Sequence, residues 1–242
     1  MNKESILFVC DCDDTLILSS SILIPFYQQV TEEGGFGCSG ACYWLNNWGK
    51  SLEDIIIGCY PNLNTEQKVA EACRYIRERV RNVKLPPIIG GPRAIELLYQ
   101  KFHLGVLTSR KNFVHERLID AGYSLEHFEF IITQADKEFR KPDKRAATPI
   151  IQWAQNNDII EWLYIGDSLI DLQFANNVGV PFLAVTSGLT SREEFLAAGQ
   201  PEDLVFPSIV EVADYLLQIA YNPFCRECEE CKKTAEGICR FA

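Results

Sequence analysis

Five short apolar runs recur along the chain: Ile6–Cys10, Leu104–Leu107, Phe130–Ile132, Trp162–Ile165 and Phe182–Val185. Each is unbroken rather than alternating, as in a strand buried on both faces. Helical spacing fills the intervals at Pro92–Phe102, Asn112–Ala121, Arg145–Gln155 and Leu169–Val178, and Arg192–Ala198 and Ile209–Ile219 continue the rhythm. Short apolar runs alternating with helices specify βαβ crossovers, so the expected fold class is α/β with a parallel sheet.

One interval departs from this rhythm. About ninety residues separate the first run from the second, several times a normal crossover. They hold a Gly-rich loop at Glu32–Gly40, clear helical periodicity at Thr65–Val83 and a Pro-Pro exit at Pro86–Pro87. The spacing predicts an inserted, mainly helical unit over residues 19–86. It leaves and re-enters at the carboxyl end of the sheet, where ligands bind in open α/β folds, and so lies over the site as a lid. The remainder divides into an α/β core, residues 1–18 and 87–222, and a Cys-rich C-terminal tail, 223–242. The Arg/Glu-rich face of Thr65–Val83 reads as solvated.

Charge narrows the partners. With 23 Lys and Arg against 33 Asp and Glu, the formal net charge is −10, which argues against nucleic acid or anionic lipid as a partner. No apolar run approaches the length of a membrane span. Met1–Cys10 lacks a small-residue cleavage site and reads as a strand rather than an export signal. Reduced thiols in a cytoplasm are the expectation for the ten cysteines. Oligomeric state leaves no trace in the pattern.

The first run ends in crowded carboxylates, "CDCDDTL", with no adjacent Lys or Arg. Alternation along a strand sends Asp11 and Asp13 to one side and Cys10 and Cys12 to the other. A second acidic pair lies in "LYIGDSLIDLQFA". Here Asp167 is expected to begin a helix and to share its face with Asp171, four residues on. In a parallel sheet both pairs reach the same edge, where carboxylates without a cation would repel or hold raised pKa values. A hard divalent ion resolves the conflict, and Mg²⁺ suits oxygen donors completed by a phosphate. Either pair alone could equally be a turn or an N-cap. Two further elements face the same edge. Thr108 and Ser109 follow the second run, at what reads as a helix N-terminus able to bind an anion. Lys141 is held extended by Pro142, its ammonium aimed back at the edge, although a loop lysine is more often simply solvated.

The ordered set "DCDDTL", "LTS", "KP" and "GDSLID" resembles the four motifs of the haloacid dehalogenase-like superfamily, and the insertion resembles the C1-type helical cap of its phosphatase branch. The resemblance spans about residues 5–220. It implies a Rossmann-like core and a Mg²⁺-dependent phosphatase acting on a small phosphorylated metabolite through an aspartyl-phosphate. Carried over, Asp11 is the nucleophile and Asp13 the general acid/base. Thr108 and the Ser109 N–H bind the phosphoryl group, and Lys141 neutralises Asp11 and phosphate. Asp11, the Asp13 carbonyl, Asp167 and, in support, Asp171 hold the metal. Members that displace halide lack an Asp where Asp13 stands, so its presence favours phosphate esters. Asp14 stands where many members have Gly, and Lys144 where many have a second Pro. A phosphotransferase or sugar-phosphate mutase would use the same motifs. A non-catalytic binding module would be expected to lack one of them, and none is missing.

The tail spaces Cys225, Cys228, Cys231 and Cys239 as C-x2-C-x2-C-x7-C. This is a candidate second metal site, for structural Zn²⁺. The fourth cysteine is too distant for a bacterial iron–sulfur run, and free or redox-paired thiols are the other reading. Cys38 and Cys42 could add ligands if the tail folds back. Cys10, Cys12, Cys59 and Cys73 read as small core residues. Specificity would come from the insertion, where "GACYWLNNWG" is aromatic-rich. Trp44 and Trp48, four apart, read first as packing on one helical face. Arg110 and Lys111 supply local cations beside the second motif.

Overall fold

β1 (Ile6–Cys10) lies inside a six-stranded parallel sheet, described by a computed structural model that covers residues 3–36, 41–48, 50–136 and 138–221. Helices α1 (Ser20–Glu33), α2 (Ala41–Asn46), α3 (Leu52–Cys59) and α4 (Glu66–Val80) follow it. The chain then alternates through α5 (Gly91–Tyr99), β2 (His103–Leu107), α6 (Val114–Asp120), β3 (Phe130–Ile132), α7 (Thr148–Asn156), β4 (Glu161–Gly166), α8 (Leu169–Val178), β5 (Phe182–Val185), α9 (Arg192–Ala197), β6 (Val205–Phe206) and α10 (Ile209–Tyr221). The strand order is β3-β2-β1-β4-β5-β6. Strands β2 and β4 therefore flank β1, and the direction of winding reverses beside it, opening a crevice at the carboxyl ends.

Unbroken apolar strands are explained by two buried faces. Leu7 and Val9 of β1 pack with Ile150 and Phe174 from α7 and α8, while Phe8 and Cys10 pack with Ile95, Leu98 and Val212 from α5 and α10. Cys10, Cys12 and Cys73 are buried free thiols and Cys59 is half-buried, as expected of small core residues. A third apolar cluster, including Ile24, Trp44, Ile56, Cys73 and Ile76, is built within α1–α4. Its two connections to the sheet run side by side, with Leu18 N–H donating to Pro86 O at 2.9 Å and Ile88 N–H to Leu16 O at 2.8 Å. Arg117 of α6 donates to the carbonyls of Val80 (2.7 Å) and Val83, so a cation from the sheet side closes the end of α4.

Two expectations need correction. α6 starts at Val114, not Asn112, because Phe113 takes a left-handed φ of 61°. Thr108 and Ser109 thus lie in a loop and not at a helix N-terminus. α8 starts at Leu169 with Ser168 as N-cap, so Asp167 precedes the helix instead of sharing its face. Strand β6 was not foreseen; its two residues pair with β5 through Ala184↔Val205 and Val185↔Phe206. Cys38 and the candidate zinc ligands Cys225, Cys228, Cys231 and Cys239 lie outside the described residues, as does the side chain of Cys42. Among the described residues no helix is long and apolar enough to cross a membrane.

Candidate active site

The crevice beside β1 gathers side chains from four separate loops. Asp11 is the first residue past β1, and its N–H donates to Ile165 O of β4 at 2.8 Å, so the ends of the two strands are stitched together. Asp167 follows β4 directly. Lys141, in the loop between β3 and α7, is buried with its Nζ 2.7 Å from Asp11 Oδ1, 2.6 Å from Asp171 Oδ1 and 2.7 Å from the Tyr164 hydroxyl. Carboxylate oxygens of Asp11, Asp167 and Asp171 lie within 4.8 Å of one another, and all three residues are buried. Of the two sequence-predicted acidic pairs, Asp167 and Asp171 meet Asp11 here, brought together by a turn and not by a helical face, while Asp13 stands apart.

Asp171 has two duties. Its Oδ1 accepts from Lys141, and its Oδ2 accepts from Ser168 Oγ at 2.5 Å and Ser168 N–H at 3.2 Å in a capping box that starts α8. The helix start and the lysine are therefore fixed by one carboxylate.

Charge is unbalanced here. Burial pushes the Asp11 carboxyl up to about 7; Lys141 pulls it down, while Asp171 and Asp13 add to the rise. Burial also raises Asp167 well above the usual carboxylate range, reinforced by Asp171 and Asp11. Burial alone would discharge Lys141, but Asp11 and Asp171 outweigh it and hold its pKa above normal. Two carboxylates share one ammonium, and a third, Asp167, lies beside them. The donor set fits a hard divalent cation: all oxygen, in carboxylate excess and closely grouped. The backbone leaves room for these side chains. A Cβ on Gly188 would fall 2.0 Å from Asp167 Oδ2, and one on Gly166 would fall 2.6 Å from Asp171 Cγ. Thr15 Oγ1 donates to Asp167 Oδ1 at 3.1 Å and orients it.

The three N-terminal aspartates separate. Because β1 stops at Cys10, strand alternation does not keep Asp11 and Asp13 together. Asp13 turns to Arg110, whose Nε lies 2.9 Å from Oδ2 and 3.1 Å from Oδ1, with Nη2 also on Oδ1. Burial would raise the Asp13 carboxyl, but the guanidinium outweighs it and holds it below its usual range. Asp14 takes φ 55°, a left-handed conformation that a short polar side chain tolerates. Its Oδ1 accepts from Ser19 N–H at 2.8 Å and Ser20 N–H at 3.0 Å, capping α1 where Ser19 itself makes no side-chain cap.

A cavity of about 630 Å³ opens over these groups. Asp11, Asp13, Thr108, Ser109, Lys141 and Asp167 line it, together with Trp48, Lys50, Glu53 and Arg77 from the α1–α4 unit. The Thr108 hydroxyl accepts from Arg110 N–H at 3.0 Å, and the Thr108 N–H is committed to Ile132 O at 3.0 Å. The two tryptophans divide. Trp44 is fully buried against Tyr27, with ring centroids 5.1 Å apart, whereas Trp48 reaches the cavity. Arg77, on the face read as solvated, is paired with Glu53 and lines the cavity.

Sequence reasoning missed Tyr164. It sits inside an apolar strand and read as core, yet its hydroxyl accepts from Lys141 and donates to Leu107 O at 2.8 Å. A phenol three residues before Asp167 was the available signal. Tyr164→Phe removes an acceptor from Lys141 and a donor from Leu107, which is expected to cost about 1–3 kcal/mol of stability. Urea unfolding of the two proteins side by side checks it.

The family model for haloacid dehalogenase-like hydrolases matches residues 6–185. A phosphoglycolate phosphatase of Mesorhizobium japonicum is 34% identical over 122 residues, covering 48% of this chain and 52% of that protein, so the match spans about half the length of this curated relative. A predicted phosphoglycolate phosphatase from Haemophilus somnus superposes with a TM-score of 0.74 at 16% identity, covering 89% of this chain and 100% of that one. A candidate β-phosphoglucomutase from Thermotoga maritima gives 0.68 at 18% identity, covering 88% and 99%. At such identities the two structures establish a shared fold.

Proposed function

The chain belongs to the haloacid dehalogenase-like hydrolases, and from that premise we propose that it is a Mg²⁺-dependent phosphomonoesterase for a small phosphorylated metabolite. The observation that carries this reading is the buried Lys141 shared by Asp11 and Asp171, with Asp167 alongside, at the floor of a cavity. Such a floor can take a phosphoryl group only if its own negative charge is neutralised. Asp11, the Asp13 carbonyl and Asp167 would hold Mg²⁺, with Asp171 behind them, and the bound ion would neutralise charge on the phosphoryl oxygens.

The chain's own groups supply the rest. The Asp11 carboxylate forms a bond to phosphorus as the bond to the leaving oxygen breaks, giving an aspartyl-phosphate. Asp13, protonated for this step, gives its proton to the departing alkoxide. The Thr108 hydroxyl and Ser109 N–H hold phosphoryl oxygens, and Lys141 screens the approach of anion to anion. In the second half, Asp13 takes a proton from water as that water attacks phosphorus. The bond to Asp11 then breaks and inorganic phosphate leaves. The α1–α4 unit acts as the cap that covers the cavity and contributes specificity.

A panel of metabolite phosphates and one aryl phosphate, assayed with and without Mg²⁺, tests the reading. Phosphate release that requires Mg²⁺ is expected. Isomerised sugar phosphate without free phosphate would instead mark a phosphotransferase, and no turnover of any member would overturn the assignment.

A further inference from the structure

Arg110 occupies both oxygens of the residue that has to reach the leaving group. Its guanidinium forks onto Asp13 through Nε and Nη2, with side-chain exposures of 13% for Arg110 and 20% for Asp13. The backbone that presents it is fixed at two points, by its N–H on Thr108 Oγ1 at 3.0 Å and by Gln134 N–H donating to its carbonyl at 3.0 Å. Arg110 and Lys111 both line the cavity, on the wall beside Asp13. To reach an ester oxygen, Asp13 needs one oxygen turned toward the substrate, whereas the two-pronged pairing seen here holds both of its oxygens on Arg110.

A nearly buried guanidinium leaves a carboxylate readily only for another planar or polyoxygen anion that can take the same fork. The leaving alcohol must lie next to Asp13 when the proton moves. An anionic group a few bonds from the ester oxygen is therefore delivered directly to Arg110. We propose that Arg110 is a specificity-determining residue that comes off Asp13 to bind a second anionic group on the leaving alcohol, so that the preferred substrates are phosphomonoesters whose alcohol carries a carboxylate or a second phosphate. This rests on the phosphomonoesterase reading above. A neutral alcohol offers no replacement acceptor, leaves Arg110 on Asp13 and reacts slowly. An anionic alcohol frees the general acid as it binds.

The test uses the full chain with Mg²⁺ and three matched series. These are phosphorylated ω-hydroxy acids of two to four carbons, the bisphosphates of the corresponding diols, and the neutral n-alkyl phosphates. The wild type is expected to prefer one anionic series over the neutral one by at least about tenfold in kcat/KM, the effect of one exchanged charge-assisted pair, and the winning series identifies the anion. Arg110→Gln should lower kcat/KM for that series and raise it for the neutral one, bringing the ratio close to one. Arg110→Lys, which keeps the charge but not the fork, should restore part of the preference. It also guards against a folding defect in the Gln variant. A wild type with no preference, an equal loss in all series for both variants, or a preference that survives Arg110→Gln would overturn the inference while leaving the phosphatase reading standing. A wild type that releases phosphate from none of the series nor from an aryl phosphate would overturn both.

Discussion

Asp11→Asn is expected to abolish phosphate release, by at least about 10⁴-fold as for other nucleophile replacements, while leaving the fold in place. The amide matches the carboxylate in shape but carries no charge, so it cannot attack phosphorus with useful rate. Structure should survive because Lys141 keeps Asp171 at 2.6 Å and the Tyr164 hydroxyl at 2.7 Å. The Asp11 N–H on Ile165 O is a backbone bond that the substitution does not touch. Metal-free variant protein should even be more stable than metal-free wild type near pH 7, because one of three crowded carboxylates has gone. Two measurements decide the matter: phosphate release, and label retained on the protein after an acid quench with ³²P-substrate. Label on the wild type and none on the variant is the expected pair. Full activity in the variant would remove Asp11 from the chemistry.

Why some of this was legible beforehand and some was not follows from range. The five apolar runs were readable because double-sided burial leaves a local signature, and each lies within a residue or so of its strand. Val205–Phe206 was invisible because two residues carry no periodicity; its membership is decided by β5, twenty residues away. Asp11, Asp167 and Lys141 could be brought to one edge from topology alone, since each follows a strand of a parallel sheet. What topology could not give was the partner of each group. Alternation assigns Asp13 to the acidic cluster, but it turns to Arg110 because β1 ends at Cys10 and the strand's alternation ends with it. Phe113 in a left-handed conformation delayed α6, a backbone choice no propensity favours for an aromatic residue. Asp14 is the reverse case. The sequence marks it only as a departure from Gly; the structure shows a left-handed φ of 55° there and a carboxylate that caps α1. Short-range patterns fixed the elements, and side-chain pairing across about a hundred residues did not show in them.

Removing the metal should expose the cost of this crowding as a pH dependence with a definite sign. Asp11 is raised from 3.8 to about 7 in the folded, metal-free chain, and Asp167 is raised as well. Between these values the folded state holds protons that the unfolded chain has already released. The native form thus binds more protons, and stability must fall as pH rises through that window. For one fully buried group the loss is on the order of a few kcal/mol. Lys141 does not reverse it: its pKa is raised above an already high value, so its contribution stays constant below pH 10. A divalent ion binds only the ionised carboxylates, and at about 100 times its Kd it returns roughly 2.7 kcal/mol. EDTA-treated protein should therefore lose thermal stability from pH 5 to pH 7, and added Mg²⁺ should raise Tm much more at pH 7 than at pH 5. Asp11→Asn should flatten much of that slope. A metal-free curve that is level or rising through the window, with equal Mg²⁺ stabilisation at both ends, would mean that the three carboxylates do not compete for charge. The neutralisation that the phosphatase reading requires would then have no source.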